Sequence, residues 1–281
     1  MSFSYKVQHA QLQWDAQGLP YAPDFEDVYY SRNDALGESS HVFLEGSKLP
    51  ARFSSLKTKQ FLIAELGFGA GLNFLNTCRL WCEQAPASAT LHYIACELYP
   101  LRLSDLCALH AQFPELADYS AALLEVWPQP CSGVQQLQLH CGQHRIVLSL
   151  LLAPASELEA WLASTPGLKV DAWFLDGFSP AHNPDMWSPA LFQQISRFCH
   201  ADTTLCSYSV AGSVRRGLEQ AGFVWEKLPG FAGKRHMLRA AMPSSTAPTT
   251  AIEDAAARTV CVVGAGLAGC STARALAASG W

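Results

Sequence analysis

The sequence predicts an α/β fold in which a mostly parallel, doubly wound sheet has an antiparallel final strand. Three observations support this fold class. The apolar run 61–63 leads into glycines and then into a helical pattern, which indicates a strand-loop-helix unit. From residue 60 onward, strand-like and helix-like segments alternate, as in parallel sheets covered on both faces. The pattern closes with strand-like runs at 223–228 and 235–241, whose turn-rich connection suits a hairpin rather than a crossover helix.

Residues 1–59 are polar and acidic at their start and are predicted to form an N-terminal extension with short strands, packed on the main domain. After it we predict strands at 60–65, 91–97, 145–152, 170–176 and 203–207, helices at 72–83, 101–112, 119–126, 156–163, 189–198 and 212–220, and a hairpin arm at 137–140. A parallel sheet closed by one antiparallel strand is the layout of class I, Rossmann-like S-adenosylmethionine methyltransferases. We assign this domain to residues 60–241.

The last part of the chain carries a second motif. Residues 242–258 are rich in Pro, Ser, Thr and Ala and are predicted to be a linker. Within 259–281, a strand-like run leads into a G-x-G-x-x-G loop made by Gly264, Gly266 and Gly269, the pyrophosphate-binding fingerprint of FAD or NAD enzymes. One strand and one helix cannot bury a sheet face, so this segment is predicted to be the truncated start of a dinucleotide-binding domain.

Composition limits the classes of protein and partner. The chain has 281 residues, of which 49% are apolar, and can bury a large core. Its net charge of −5 gives no overall attraction to nucleic acid, so such a partner would need a local basic patch. The ten cysteines, with no signal peptide, no apolar membrane span and no zinc-type spacing, predict a cytoplasmic protein with free thiols, no metal and no membrane partner.

The glycine loop after the first predicted sheet strand is the strongest indication of a ligand. Glycines at 67, 69 and 71 let the backbone turn tightly and let a ligand lie against it. Glu65 opens this loop, and a negative charge there favours a cationic, phosphate-free ligand such as S-adenosylmethionine over NAD. Glu97 ends the next strand, where a carboxylate can accept both hydroxyls of a ribose.

Asp176 is the predicted catalytic carboxylate. It lies at the carboxyl end of a buried strand, followed by a long loop rich in Gly and Pro. A carboxylate there can hold an incoming amine and take its proton while the nitrogen attacks a sulfonium methyl group. In the loop, Phe178 and Trp187 are candidates to stack on a base, with core packing as the alternative.

Basic residues concentrate late in the chain. Between residues 200 and 240, six Lys or Arg and three acids give a local charge of +3. Arg215 and Arg216 begin a predicted helix, and Lys234 and Arg235 begin the last strand, so both pairs are candidates for phosphate contact at the carboxyl edge of the sheet. A solvated charged face is the alternative.

Five segments together resemble a family of bifunctional bacterial enzymes that complete 5-methylaminomethyl-2-thiouridine at the tRNA wobble position: 25–31, 65–74, 171–187, 211–218 and 230–238. The run D-A-W-F-L-D-G-F-S-P-A-H-N-P-D-M-W at 171–187 is the most specific. The resemblance implies a methyl transfer from S-adenosylmethionine to the aminomethyl nitrogen of uridine 34 in the anticodon stem-loop. It also implies an FAD-dependent oxidoreductase half in the same polypeptide, which removes a carboxymethyl group beforehand and whose first turn is the loop at Gly264.

By matching position, the resemblance assigns the catalytic role to Asp176. The predicted cofactor residues are Glu65, Gly67, Phe68, Gly69, Gly71, Asn73, Glu97 and Asp176, and the predicted substrate residues are Phe178, Trp187, Arg215, Arg216, Lys234 and Arg235. Relatives usually carry Gly-Asp after the third sheet strand, and the acid there contacts the adenine amine. Ala153-Pro154 stands at this place, which predicts weaker cofactor binding.

Two alternatives remain open at the level of sequence. The first is a methyltransferase of the same fold that acts on a small amine or on a protein. The second is a truncated remnant that binds tRNA but has lost cofactor affinity through the change at Pro154.

Overall fold

An eight-stranded sheet forms the centre of the computed structural model, which describes residues 7–31, 34–128, 131–243 and 270–274. The strands are β1 Gln13–Trp14, β2 Pro20–Ala22, β3 Asp27–Val28, β4 Gln60–Leu66, β5 Thr90–Cys96, β6 Gly133–Cys141, β7 His144–Leu152, β8 Val170–Leu175, β9 Cys199–Ser207, β10 Val224–Pro229 and β11 His236–Ala241. The helices are α1 Ala35–Ser39, α2 Leu49–Ser54, α3 Leu72–Gln84, α4 Leu103–His110, α5 Ala117–Val126, α6 Leu158–Leu162, α7 Pro189–Ser196 and α8 Gly212–Gln220.

The strand order confirms the predicted fold class. The large sheet runs β10-β11-β9-β8-β4-β5-β7-β6. Neighbours from β9 to β7 are parallel, whereas β11 is antiparallel to β9 and to β10. The final strand is therefore inserted between β9 and β10 rather than added at the edge. The predicted hairpin contributes both of its arms, so β6 is a second antiparallel strand, at the opposite edge of the sheet.

Hydrophobic side chains cover both faces of the sheet. Successive residues of a strand point to opposite faces, and β4 shows this directly. Ile63 belongs to the cluster that includes Phe74 and Trp81 of α3, whereas Ala64 belongs to the cluster that includes Phe192 of α7. Burial on both faces explains why the central strands are almost continuously apolar.

The N-terminal residues share the core of the main domain. Strands β1, β2 and β3 form a small separate sheet, and a π-helix, Ser40–Glu45, links α1 to α2. Phe53 of α2 is fully buried, and its ring centroid lies 4.8 Å from that of Trp81. Residues 1–244 accordingly form one compact unit.

Residues 245–281 form a second compact unit, of which the structure describes only the helical residues 270–274. The predicted fingerprint at Gly264, Gly266 and Gly269, and all but the first two residues of the predicted linker 242–258, lie outside the described residues. The division of the chain into a linker and a truncated nucleotide-binding start therefore stays a prediction.

The described residues contain neither a membrane-spanning helix nor a cluster of metal-binding side chains. Within them, no helix has the length and apolar character needed to cross a membrane. No group of three or more His, Cys, Asp or Glu side chains is placed to hold a metal ion in the described ranges. All nine cysteines in these ranges are free thiols.

Candidate active site

A cavity of about 650 Å³ lies at the carboxyl ends of the central parallel strands. Its wall includes the glycine loop after β4, Glu97 after β5, Pro154 after β7 and Asp176 after β8. In open α/β sheets, ligands bind at this edge because the loops that leave the parallel strands converge there. The fold thus brings the two predicted parts of the site, the glycine loop and Asp176, into one cavity.

The glycine loop is fixed by close backbone contacts. Gly67 has a φ of 79°, and a Cβ atom added to it would lie 2.9 Å from Gly177 Cα. The amides of Gly67 and Phe68 both donate to the Cys96 carbonyl, at 3.2 and 3.1 Å. Only glycine at position 67 allows the loops after β4 and β8 to touch.

The remaining loop residues divide between the cavity and the core. Gly69 and Phe68 lie on the cavity wall, whereas Gly71 is the residue that precedes α3. Phe68 is only 3% exposed, and its ring lies 5.9 Å from that of Trp127 at an interplanar angle of 19°. Phe68 therefore anchors the loop in the core while its edge borders the cavity.

Glu97 fastens the glycine loop to the end of β5. Its Oε2 accepts a hydrogen bond from the Gly69 amide and its Oε1 accepts one from the Tyr99 amide, each at 2.8 Å. Burial raises the pKa of Glu97, and the backbone amides oppose that rise because they stabilise the ionised form. Each oxygen keeps a second lone pair, so the predicted ribose contact stays compatible with this geometry.

Asp176 is held by neutral donors at the cavity wall. Its Oδ1 accepts from the Gly177 amide at 2.9 Å, and its Oδ2 accepts from Asn73 Nδ2 at 2.7 Å. Burial raises the pKa of Asp176 to about 6, although these two hydrogen bonds lower it. A carboxylate with this pKa is largely ionised at neutral pH, yet it can still accept a proton.

Asn73 connects Asp176 to a second carboxylate deeper in the protein. The same Asn73 Nδ2 donates to Glu65 Oε1 at 2.7 Å, and the Tyr93 hydroxyl donates to Glu65 Oε2 at 2.9 Å. Burial raises the pKa of Glu65 well above its usual range, and the charge of Asp176 adds to the rise. The amide of Asn73 is thereby oriented with its NH₂ group toward both carboxylates.

This arrangement corrects the predicted position of Glu65. The sequence suggested that Glu65 faces a cationic ligand, but its side chain is 1% exposed and does not line the cavity. Strand alternation directs Glu65 to the same face as Ile63, beneath the loop. The sequence reasoning missed Tyr93, although the register that pairs Ile63 with Tyr93 places it within reach of Glu65.

The N-terminal segment holds the loop that follows Asp176. The ring of Phe178 stacks on Phe25 with a centroid distance of 4.5 Å, and its edge meets Tyr29 at 5.5 Å. Asp27 Oδ2 accepts from the Ser179 amide at 2.9 Å. Phe178 lines the cavity, but one of its faces is already covered by Phe25.

Trp187 lies in the core rather than on the cavity wall. It is 4% exposed, its ring meets that of Tyr208 at 5.9 Å, and its Nε1 donates to the Phe178 carbonyl at 2.9 Å. Burial leaves no ring face free to stack on a base. The structure thus favours the alternative of core packing, and Trp187 fixes the position of the Phe178 backbone.

Lys234 is the predicted basic residue that reaches the cavity. It forms an ion pair with Glu38, and its Nζ lies 5.5 Å from the centroid of the Tyr208 ring. All three residues line the cavity. The charge of Lys234 also lowers the pKa of Asp176, so it acts on the electrostatics of the site.

The other predicted basic residues lie at the same edge of the sheet. Arg215 Nε donates to the Val210 carbonyl at 3.2 Å, and its guanidinium covers the Trp225 ring at 5.0 Å. Arg216 and Arg235 are exposed. Helix α8 follows the carboxyl end of β9, and β11 begins beside that end because it is antiparallel to β9. We call Arg215, Arg216, Lys234 and Arg235 the basic rim.

The charge of the cavity fits a cationic ligand. Among the described residues of its wall are six acids and one lysine: Asp24, Asp27, Glu38, Glu97, Asp176, Asp185 and Lys234. Such a wall repels a pyrophosphate and attracts a sulfonium or an ammonium group. Gly67 and Gly69 also expose backbone without a side chain on the cavity wall, so the residues present fit S-adenosylmethionine.

Comparison with known proteins agrees with this geometry. Residues 114–243 match a family model described as S-adenosyl-L-methionine-dependent methyltransferase. The match covers the part of the chain from the start of the segment before α5 to the end of β11. A crystal structure of MNMC2 from Aquifex aeolicus superposes with a TM-score of 0.64, at 22% identity, over 85% of this chain and 72% of that one, and it shows the same fold.

Curated relatives match nearly the whole chain. It is 43% identical to the tRNA 5-methylaminomethyl-2-thiouridine biosynthesis bifunctional protein MnmC of Magnetococcus marinus, over 96% of this chain and 41% of that protein. It is 45% identical to the protein of the same name from an Azoarcus species, over 98% and 42%. The resemblance drawn from the motifs is confirmed, and the chain spans about two fifths of the length of these relatives.

Proposed function

We propose that this chain transfers a methyl group from S-adenosylmethionine to the aminomethyl nitrogen of 5-aminomethyl-2-thiouridine at position 34 of tRNA, which gives 5-methylaminomethyl-2-thiouridine. The observation that carries the proposal is Asp176, a carboxylate held by neutral donors on the wall of an acidic cavity beside the glycine loop. The names of the relatives, which refer to the biosynthesis of this nucleoside, support the choice of substrate.

In this proposal, Gly67, Phe68 and Gly69 hold the methyl donor against the backbone, and Glu97 accepts hydrogen bonds from its ribose. When bound, S-adenosylmethionine supplies an electrophilic methyl group on a sulfonium centre. Asn73 contributes indirectly, because its amide holds the carboxylate of Asp176 in place. Glu65 and Tyr93 in turn hold that amide.

Asp176 accepts a hydrogen bond from the neutral amine and turns the nitrogen lone pair toward the methyl carbon. As the N–C bond forms, the C–S bond breaks and its electron pair stays on sulfur. The nitrogen gains a positive charge, and Asp176 stabilises that charge and accepts the released proton. Its pKa of about 6 suits both roles, since the side chain is ionised before the step and can be protonated after it.

We further propose that the anticodon stem-loop of tRNA approaches over the basic rim. The exposed guanidinium groups of Arg216 and Arg235 would contact backbone phosphates, while the acidic cavity receives the amino group of the base. Phe178, which lines the cavity, would border the base. Because its proposed substrate is tRNA, we also propose that the protein acts in the cytoplasm.

The remainder of the full-length relatives is proposed to carry an FAD-dependent oxidoreductase half. Its support is the fingerprint at Gly264, Gly266 and Gly269, together with the word bifunctional in the relatives' names. FAD is thus a cofactor of the longer protein only.

The direct test is methyl transfer. The purified chain is incubated with methyl-labelled S-adenosylmethionine and tRNA that carries 5-aminomethyl-2-thiouridine at position 34. We expect one labelled methyl group per tRNA, on the aminomethyl nitrogen. A matched tRNA with unsubstituted 2-thiouridine lacks the amine and should stay unlabelled. Equal kcat/KM for the free aminomethyl nucleoside would instead indicate a small-amine methyltransferase, and binding of tRNA without transfer would indicate a remnant.

The basic rim has its own test. Reversal of two charges, Arg216→Glu with Arg235→Glu, should weaken tRNA binding by about tenfold or more and reduce its salt dependence, because two phosphate contacts are lost. Lys57→Glu with Lys59→Glu provides a control with the same change in net charge, because both lysines are exposed just before β4, at the amino ends of the parallel strands. An equal effect of both changes would show attraction by overall charge rather than by the rim.

A further inference from the structure

One part of the cavity wall has no role in the proposed chemistry so far. It is formed by residues 153–156 after β7 and by one side of helix α7, where Ala190, Leu191 and Gln194 line the cavity. Residues at spacings of three and four share a helix face, so these three side chains point the same way. Leu191 is 3% exposed and belongs to the same hydrophobic cluster as Ala153, which anchors this face of α7 in the core beneath that loop.

Gln194 carries an unsatisfied polar atom in this wall. Its Oε1 is buried and has no hydrogen-bond partner among the described residues. By contrast, the carboxylates of Glu97 and Asp176 on the same wall each accept two hydrogen bonds. Buried acceptors are normally paired, so an orphan acceptor on a ligand cavity indicates that the missing donor belongs to the ligand.

The neighbouring loop supplies no carboxylate or carboxamide to the cavity wall, and its side-chain acceptor there is the hydroxyl of Ser156. Ala153 and Pro154 are apolar, and Pro154 also lacks a backbone N–H. Met186 and Leu191 add further apolar surface to the wall. A largely apolar slot that includes the carboxamide of Gln194 is suited to a heterocyclic base that has a donor and an acceptor side by side.

Adenine has that edge. The carboxamide of Gln or Asn pairs with it in two ways at once, because its oxygen accepts from the exocyclic N6 amine and its NH₂ group donates to a ring nitrogen. On the edge formed by N6 and N7 adenine offers a donor and an acceptor, whereas a 6-oxopurine offers two acceptors, so the carboxamide of Gln194 can pair fully with adenine alone. Glu97 and the glycine loop serve the ribose in the proposed function, which leaves the base for the slot beside α7.

We propose that Gln194 recognises the adenine of the methyl donor through its carboxamide. The inference rests on the proposed use of S-adenosylmethionine and adds the residue that selects its base. Under this proposal the acceptor missing at Pro154 is provided from α7 instead, which offsets the predicted loss of affinity.

The test measures binding rather than turnover. S-Adenosylhomocysteine and S-inosylhomocysteine differ at the position of the N6 amine, where the inosyl compound has a carbonyl oxygen. By titration calorimetry we expect the wild-type chain to prefer the adenosyl compound by about tenfold or more. Gln194→Met, which keeps the length of the side chain, should bind the two compounds about equally.

Two further variants make the result decisive. Gln193→Met changes an exposed residue on the same helix and should keep the wild-type preference. Gln194→Glu keeps an acceptor for the amine and should keep or increase that preference, because a carboxylate repels the carbonyl of the inosyl compound. Thermal unfolding of each variant confirms that it is folded.

The outcomes separate this inference from the proposed function. A preference retained in Gln194→Met, or lost in Gln194→Glu, would overturn the role of Gln194 while the methyl donor stands. Binding of neither compound by the wild-type chain would overturn both the proposed donor and this inference. If Gln194→Met loses the preference while Gln193→Met and Gln194→Glu keep it, the role of Gln194 is established.

Discussion

Two aspartates at the two ends of strand β8 show how the same side chain serves different purposes. Asp171 is the second residue of the strand, and Asp176 follows its last residue. Asp171 Oδ2 accepts from the Leu62 amide at 2.7 Å, and its Oδ1 lies 3.2 Å from His200 Nε2 and 4.0 Å from an Arg52 nitrogen. Asp176 has neutral direct partners, Gly177 and Asn73.

The difference lies in the charge of the partners. Asp171 has the charged guanidinium of Arg52 beside it, and its contacts with Leu62, His200 and Arg52 join β8 to β4, β9 and α2. Neutral donors position a carboxylate without cancelling its charge, so Asp176 keeps basicity for a ligand in the cavity. Loss of Asp176 should therefore affect the reaction, whereas loss of Asp171 should affect the fold.

The largest effect is expected from Asp176→Asn. The amide cannot take a proton from the amine, so single-turnover methyl transfer should slow by about 10²- to 10³-fold. Asp171→Asn is the matched change at the other end of the strand and should leave the rate per folded molecule within about twofold. Similar rate losses in the two variants would remove the distinction between these aspartates.

A second expected effect is on stability. Asp171→Ala leaves the Leu62 amide without its acceptor and removes the anionic partner of Arg52, which should lower the free energy of unfolding by about 2 kcal/mol. Chemical denaturation measures this loss. Asp171→Asn retains an acceptor for Leu62 and should lose less; a loss as large as that of alanine would show that charge, not the hydrogen bond, stabilises this end of β8.

A smaller effect is expected from Asn73→Ala. The hydrogen bond from Asn73 lowers the pKa of Asp176, so its removal should shift the acid limb of the rate profile to higher pH. At pH 7 the rate should fall by less than about twofold, because a hydrogen bond of about 1 kcal/mol moves the pKa of Asp176 by about 0.7 and leaves most of the carboxylate ionised; the loss should grow as the pH is lowered. An unchanged acid limb with a uniformly lower rate would mean that Asn73 supports only the backbone.

The smallest effect concerns the stability cost of the site. The folded-state pKa of Asp176, about 6, lies above its ordinary value of 3.8, so the folded state favours the protonated form. Its contribution to stability is present at low pH and is lost as pH rises through about 6. Asp176→Asn removes the charge and should stabilise the chain by about 1 kcal/mol more at pH 8 than at pH 5. Denaturation at the two pH values checks the sign.

The parts of the site that were predictable from sequence are those set by local spacing. A strand followed by glycines and a helix places Gly67 and Gly69 at the carboxyl edge, and a strand followed by a loop places Asp176 there. Both expectations depend only on strand ends. The fold class was predictable for the same reason, since alternation along the chain dictates a parallel sheet.

The remaining contacts join residues that are far apart in sequence. Tyr93 reaches Glu65 only through the register of β4 with β5, and Asp27 reaches Ser179 across 152 residues. No local pattern encodes such pairs. Trp187 shows a second limit, because an aromatic residue in a polar loop looks available until the packing of Tyr208 and Phe178 around it is known.

The contact between Gly67 and Gly177 has a consequence for how the enzyme tolerates change. One glycine belongs to the loop proposed to carry the methyl donor and the other to the loop proposed to carry the acceptor amine, and their backbones meet without a side chain between them. Main-chain atoms therefore set the distance between the proposed methyl donor and the proposed acceptor amine. New acceptors can be accommodated by reshaping the outer wall at Phe178, whereas a single methyl group added at position 67 would wedge the two reaction partners apart.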